Sequence, residues 1–499
     1  MTSTIVVFVL YMTAVAAITY YGWRQTITIS DYVLGGRTLS PFSAAMSAGA
    51  SNMSGYMMLS FPALTYQHST EAFLMSIGLL VGQYVSIVAV GPRLRVYSER
   101  LNDSQTLPIF LSERTGHTGR DGWLLRVACA LSLLVFMLLY VASGLLAGGK
   151  LFSSLFDVPL TYAIILGTVI IGVYTLVGGF LAISWTDVLQ SLMMVFILIG
   201  LPLAMFFTEA PEVPPVSPDD FPPLFDVTAI GWVAVISWLS WGLGYIGLPH
   251  SVMRYKAMRC VSDFPVFRDT LMIWSVLIFI GSMGIGLLAR QWFTPGDDAS
   301  MEDLTLQMLD VFFNPWLIGL ALAAIMAAVM STADSQLLLA SVSISEDLLA
   351  PAFPDMTSDQ RLWVSRLVVL LITVFSLLLV LQGGNSILSL VTYAWAGLGA
   401  AFGPVLLFAL YWRRFNYIGA IAGVFLGGAG TILFHHFPPI EGLYELLPAF
   451  ALSALAIWLC GLFAPQDRPA EEVFDELIAE PLWAGIEDPK QSPAPVEQN

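Results

Sequence analysis

The 499-residue chain is 57% hydrophobic and only 11% charged, with a net charge of −16 and a mean hydropathy of +0.78. Soluble domains carry about 25% charged residues, so this composition excludes an ordinary soluble protein and defines an all-α polytopic membrane protein. The acidic balance argues against a nucleic-acid partner and leaves membrane lipid as the surrounding medium.

Stretches of about twenty apolar residues, each long enough to cross ~30 Å of hydrocarbon as a helix, recur along most of the chain. Roughly thirteen are expected, at about 3–23, 41–67, 70–92, 123–152, 159–179, 183–207, 229–248, 270–289, 315–341, 363–382, 386–411, 417–436 and 443–464. The first lacks a basic leader and runs on into another membrane segment, so it reads as a retained helix. Basic residues gather in alternate loops, Arg37, Arg114, Arg254, Lys256 and Arg413 among them, and only Lys150 and Arg290 fall on the other side. By the positive-inside rule the N-terminus is outside and the C-terminus cytoplasmic. The opposite loops agree: 208–228 holds Glu209, Glu212, Asp219, Asp220 and Asp226 with no basic residue, and 291–314 is acidic too. Residues 1–465 form the membrane domain, and the Pro-rich acidic segment 466–499 is expected to be a solvated cytoplasmic tail with one short helix at most.

The second span contains the break Ser47-Ala48-Gly49-Ala50-Ser51-Asn52-Met53-Ser54-Gly55. Its polar core stands about 15–20 Å from the span's cytoplasmic start, near the bilayer midplane, where small polar residues line a cavity or pathway. The seventh span carries a second break, Trp241-Gly242-Leu243-Gly244-Tyr245-Ile246-Gly247-Leu248-Pro249, at matching depth. A dinucleotide fingerprint would need a preceding strand, which a membrane span excludes. Two broken spans in corresponding positions of two halves point to a transporter's binding site, although close packing of small residues also accounts for glycine here. Ser51, Asn52 and Ser54 offer polar contacts and Trp241 and Tyr245 apolar walls. That inventory suits a small zwitterion with an apolar body.

On the ninth span, Ser331, Asp334 and Ser335 are spaced i, i+3, i+4 and share a helix face. Hydroxyls, carbonyls and a carboxylate are the ligands a hard cation takes. Asp187, near the start of the sixth span, should lie at similar depth, so the two carboxylates could share an ion. Alternatively, Ser184-Trp185-Thr186-Asp187 is a helix-start capping box, and Asp334 a solvated carboxylate near a helix end. The five histidines show no metal-ligand spacing, Cys129, Cys260 and Cys460 lie where a disulfide does not form, and no nucleophile or phosphate loop marks an enzyme.

Several blocks in fixed order carry a family resemblance: Asp31 to Arg37, Ser47 to Gly55, Gly178 to Asp187, Trp241 to His250, Phe313 to Trp316, Ala327 to Gln336 and Tyr393 to Pro404. Over roughly residues 5–465 the sequence resembles the sodium/solute symporter family, most of all its bacterial proline-transporting members. The resemblance implies a LeuT-type core of two inverted five-helix repeats, about 41–207 and 229–411, in a bacterial cytoplasmic membrane. It implies Na+ as the coupling ion and L-proline as substrate. A sodium site would use Ala50, Met53, Ala328, Ser331 and Thr332, and a second sodium position Asp187, Ser331, Asp334 and Ser335. For substrate the matching positions are Ser54, Gly55, Tyr140, Trp241, Tyr245 and Pro249. The chain departs from the family's proline carriers at Asn52, usually Asp, at Asp334, commonly Ser, and at Leu248, where Gln is familiar. The first two departures suggest one negative charge moved from span two to span nine. Another small solute, proton coupling, or a transporter-like nutrient sensor remain the alternatives.

Overall fold

The computed structural model describes residues 2–25, 29–117, 121–177, 179–208, 226–291, 301–353, 355–384, 386–464 and 468–479. Among them, eleven helices are long and apolar enough to cross a membrane, and Leu160–Leu176 is a shorter apolar helix. The second span is absent from that set because it is broken into Pro41–Asn52, Gly55–Met58 and Ser60–Gln67. With these two, the thirteen expected spans are present. The eighth begins at Phe264, earlier than its apolar stretch suggests. Glu209, Glu212, Asp219, Asp220 and Gly178 lie outside the described residues, as does the tail beyond residue 479.

Local sequence sets where spans begin. Ser40 accepts from the Ser43 amide at 3.1 Å with Pro41 at the first helical position. Asn314 accepts from the Trp316 and Leu317 amides ahead of Pro315, and Thr357 with Gln360 and Ser386 with Ser389 form reciprocal caps. Each satisfies backbone donors that would otherwise be orphaned at the helix start. Burial then sorts the spans: in spans nine (Pro315–Val342) and eleven (Ile387–Tyr411), 78% and 83% of the apolar window is buried, against 28% and 22% in spans one and thirteen. The former are central, and the latter lie at the periphery of the bundle.

Short helices cover the ends of the bundle. Leu304–Phe312 lies between spans eight and nine, and Leu107–Arg114 between spans three and four. The acidic tail is not wholly solvated: Arg468–Ala479 is a helix whose Ala470, Phe474 and Leu477 are buried. Buried Arg114 donates to the carbonyls of Ala470 at 2.7 Å and Ala409 at 2.8 Å, and its guanidinium lies over the Phe474 ring. Arg413 holds Glu471 at 2.7 Å and Asp475 at 2.8 Å. That pairing keeps the exposed Asp475 carboxyl below its ordinary range and the Arg413 guanidinium above its own. Three basic residues assigned by sequence to the cytoplasmic side, Arg114, Arg254 and Lys256, are buried in the protein, each at most 2% exposed.

Candidate functional site

The first half of span two ends at Asn52. Met53 leaves the helix with φ −109° and ψ 85°, and Ser54 starts the next segment by accepting from the Tyr56 amide. The break exposes backbone carbonyls to neighbouring spans. That of Asn52 lies 3.5 Å from the Tyr140 hydroxyl. That of Ala50 accepts from Ser331 Oγ at 2.9 Å and Thr332 Oγ1 at 3.3 Å. Gly55 lets this happen, because a Cβ there would come within 2.8 Å of Ala147 and 2.9 Å of Val329 on spans four and nine. A side chain would push the break away from both.

Ser331 and Thr332 also reach the Ala328 carbonyl, at 3.2 and 3.3 Å. Four of the five oxygens expected to hold sodium are therefore gathered between the span-two break and span nine, and Met53 stands at the break itself. All five residues are buried. Carbonyl and hydroxyl oxygens are a hard donor set that fits an alkali cation.

Span seven breaks at the same level. Trp241–Leu243 is a 3₁₀ turn, Gly244–Gly247 a single helical turn, and Leu248 is extended with ψ 109° before Pro249 restarts the helix to Ala257. Trp241 and Tyr245 are buried at this break and pack against two rings that sequence reasoning missed. Trp395 donates its indole N–H to the Trp241 carbonyl at 2.9 Å and meets Tyr245 edge-on at 5.0 Å, while Tyr444 stacks on Trp241 at 5.3 Å. A Cβ on Gly244 would overlap the Trp395 indole. Ser251, on the restarted helix, donates to Asn52 Oδ1 at 2.7 Å and so links the two breaks. The Tyr56 and Tyr245 hydroxyls and both His250 ring nitrogens are buried without a partner in the protein. Such groups are costly unless a ligand or water meets them.

Asp187 and Asp334 are both 0% exposed and have different hydrogen-bond partners. Span six starts at Phe180, so Asp187 is mid-helix and not part of a cap. Its Oδ2 accepts from Ser47 at 2.6 Å and pairs with Arg254 at 3.3 Å. The same guanidinium donates to Ser51 at 2.6 Å, Ser335 at 2.5 Å and the His250 carbonyl at 2.8 Å. Asp334 instead accepts from Thr175 on span five, and its other oxygen has no partner. Of the expected second sodium position, Asp187 and Ser335 come together around Arg254, whereas Asp334 faces elsewhere.

A second closure lies at the opposite end of the site. Glu302, in the segment before span nine, accepts from Ser60 at 2.9 Å, from Lys150 at 2.7 Å and from the Ile387 amide at 3.0 Å. One carboxylate thus joins spans two, four and eleven. Beside it is a cavity of about 920 Å³ lined by Lys150, Glu302, Asp303 and Asp310. Burial raises the Asp303 and Asp310 carboxyls above their ordinary range. No motif in the sequence distinguishes Glu302 from its acidic loop.

Two broken helices meeting in a helical membrane bundle, with closures on both sides of the break, define a secondary transporter. The profile of the Sodium:solute symporter family matches residues 32–427. The sodium/proline symporter of Salmonella typhimurium is 36% identical over 94% of this chain and 95% of its own length. The high-affinity proline transporter of Bacillus subtilis is 36% identical over 92% and 97%. In structure, a Na+-coupled sialic acid symporter in a substrate-bound outward-open state superposes with a TM-score of 0.72 at 19% identity, over 93% of this chain and 98% of the other. A nucleobase-cation symporter in a closed conformation gives 0.51 at 15%, over 90% and 99%. The chain belongs to the sodium:solute symporter family, with the LeuT-type fold that its resemblance implied.

Proposed function

We propose that the protein is a secondary active transporter that takes up L-proline together with sodium across a bacterial cytoplasmic membrane, with its N-terminus outside and its C-terminus inside. The observation that carries the reading is the convergence of the Ala50, Ala328, Ser331 and Thr332 oxygens across the span-two break. An ion held there bonds both span two and span nine, and so favours the conformation in which the adjoining break is formed. The relatives that transport proline supply the substrate class, and the aromatic walls at Trp241, Tyr245 and Trp395 suit an apolar pyrrolidine ring.

Residues 1–465 act as one transport domain, with 41–207 and 229–411 as the inverted repeats. Ser51, Asn52, Ser54, Gly55, Tyr140, Trp241, Tyr245 and Pro249 surround the substrate. Freed backbone groups at the two breaks address its carboxylate and amine, as half-helix termini do. Sodium enters from outside, substrate follows, and Glu302 closes the outer side. Separation of the helices joined by Arg254 then opens the inner path. Coupling needs only that each ligand bind one conformation better, typically by ~1–3 kcal/mol.

Labelled L-proline uptake into proteoliposomes tests this. An inward sodium gradient should drive accumulation above equilibrium, and matched potassium should not. Accumulation driven by a proton gradient alone would keep the transporter and overturn the ion. Proline binding without flux would indicate a sensor.

A further inference from the structure

Trp241 owes its position to its neighbours. Among the described residues its side chain makes ring contacts and no hydrogen bond: Trp238 stacks at 6.4 Å, Trp395 lies tilted at 6.0 Å, and Tyr444 stacks at 5.3 Å and 22°. Of these three rings, Tyr444 comes from outside the proposed repeats, just ahead of span thirteen (Leu446–Phe463). It is fixed at both ends. Its hydroxyl donates to the Thr392 carbonyl of span eleven at 2.7 Å, and its amide donates to Ser237 Oγ of span seven at 3.0 Å. The next residue, Glu445, stands 3.3 Å from His435 Nδ1 of span twelve. We propose that Tyr444 is a positioning residue for substrate selection: it holds the Trp241 ring against the proline site and so sets the size of the substrate ring that fits.

The other two rings do not supply that support. Trp238 precedes Trp241 on the same span and moves with it, and Trp395 is bonded to the Trp241 backbone carbonyl, not to its indole. Where span thirteen begins there is no slack. A Cβ on Gly399 of span eleven would lie 2.8 Å from Gly244 Cα and 3.0 Å from Leu446 Cδ1, so the start of span thirteen, span eleven and the span-seven break are in mutual contact. Interiors packed at this density pass the shift of one ring to the next. Tyr444 is also near the site, for the hydroxyls of Tyr56 and of Tyr140, an expected substrate contact, lie within electrostatic reach of its own. Removing the Tyr444 ring opens a space behind Trp241 into which the unanchored indole relaxes. The substrate side of the wall then recedes. One methylene in an apolar pocket is worth roughly 10- to 200-fold in discrimination, so such a retreat is read as a change in ring-size preference.

The inference rests on the reading that Trp241 bounds a proline site, and the experiment separates the two. Inhibition constants of unlabelled L-proline and of L-pipecolate, whose ring is one methylene larger, are measured against sodium-driven uptake of labelled L-proline in proteoliposomes holding the full-length protein. Wild type should prefer proline roughly tenfold or more. Tyr444→Ala should lower that preference about tenfold, chiefly by tightening pipecolate, and Tyr444→Leu should lower it less. Tyr444→Phe keeps the ring and the amide anchor and should leave it nearly unchanged. On a Trp241→Phe background, whose own preference is shifted, Tyr444→Ala should change little more, because both act through one indole. A wild type that does not distinguish the two rings would overturn the inference. So would a preference unchanged in Tyr444→Ala, or in Tyr444→Leu if the alanine variant fails to insert, since a structural role weakens both ligands alike. A Tyr444→Ala effect that persists in full on Trp241→Phe would overturn it too. Wild-type vesicles without sodium-driven proline uptake, or a Trp241→Phe protein with wild-type affinities, would mean that the substrate reading itself has failed. Trp241→Phe shifted with the Tyr444 variants unshifted would leave that reading standing and remove the inference alone.

Discussion

Ser251 and Asn52 are joined by a 2.7 Å hydrogen bond across the two broken spans, at the position where related proline carriers usually have Asp. The amide oxygen accepts from the hydroxyl as a carboxylate would, without bringing a negative charge to the break.

Breaking that link should weaken substrate binding. Asn52→Ala leaves the buried Ser251 hydroxyl unpartnered at a cost of about 1–3 kcal/mol, roughly a 5- to 150-fold loss in apparent proline affinity. Ser251→Ala should lose a similar amount, and the double variant little more than either, because one bond is removed in each case. Fully additive losses would show that the two residues act separately.

A related cycle tests whether a charge has moved between spans. Asn52→Asp and Asp334→Ser should each impair sodium-driven uptake, and the double variant should recover much of the loss if only the cavity's total charge matters. Asn52 pairs with Ser251 and Asp334 with Thr175, so any rescue must act through the field and not through a shared hydrogen bond. Additive losses would rule out the exchange.

Ser331→Ala and Thr332→Ala each remove one oxygen from the proposed ion site. Hydrogen bonds and contacts to charged groups are worth about 2 kcal/mol, so the half-saturating sodium concentration should rise roughly 30-fold. Proline affinity at saturating sodium should change far less. Equal effects on both ligands would place these residues at the substrate instead.

The proposed outer closure rests on Glu302. Glu302→Ala releases Ser60, Lys150 and the start of span eleven together, and should favour the outward-open state about tenfold or more. Labelling of a single cysteine at Met57 by an impermeant maleimide, with Cys129, Cys260 and Cys460 replaced, reads that shift. An unchanged labelling rate would show that Glu302 does not latch the outer side.

Docking of the tail helix should depend on pH. Arg413 depresses the Asp475 carboxyl. The contact therefore stabilises docking above the ordinary carboxylate range and is lost as pH falls through the depressed value. Hydrogen exchange across Arg468–Ala479, corrected for its intrinsic pH dependence, should show protection lost first near Asp475 at acid pH. Near Ala470, which Arg114 also holds, protection should last longer. Uniform loss would assign docking to the apolar face alone.

Much of the fold was legible because membrane helices announce themselves by length and hydropathy, and both breaks because Asn52 and the Gly242–Gly247 run are out of place in lipid. Arg254 was not. Apolar sequence ends at Leu248, so the charges beyond it read as a cytoplasmic loop, yet Pro249 restarts the helix and carries Arg254 more than a turn further inward. A Leu-Pro step is an ordinary helix-restart signal and could have prompted that reading. Asp187 resembled a cap because Ser184-Trp185-Thr186-Asp187 matches a capping box, but the helix had begun at Phe180, two turns earlier. Glu302, Trp395 and Tyr444 owe their roles to contacts between distant spans, which no local pattern encodes.

The most direct measurement is the dissociation constant of L-proline for the purified protein in saturating sodium and in equimolar potassium. If an ion at Ala50, Ala328, Ser331 and Thr332 fixes the break that holds the substrate, sodium should tighten proline binding about tenfold or more, and Ser331→Ala should abolish most of that gain. Equal proline affinity in sodium and potassium would contradict the coupling on which the whole account depends.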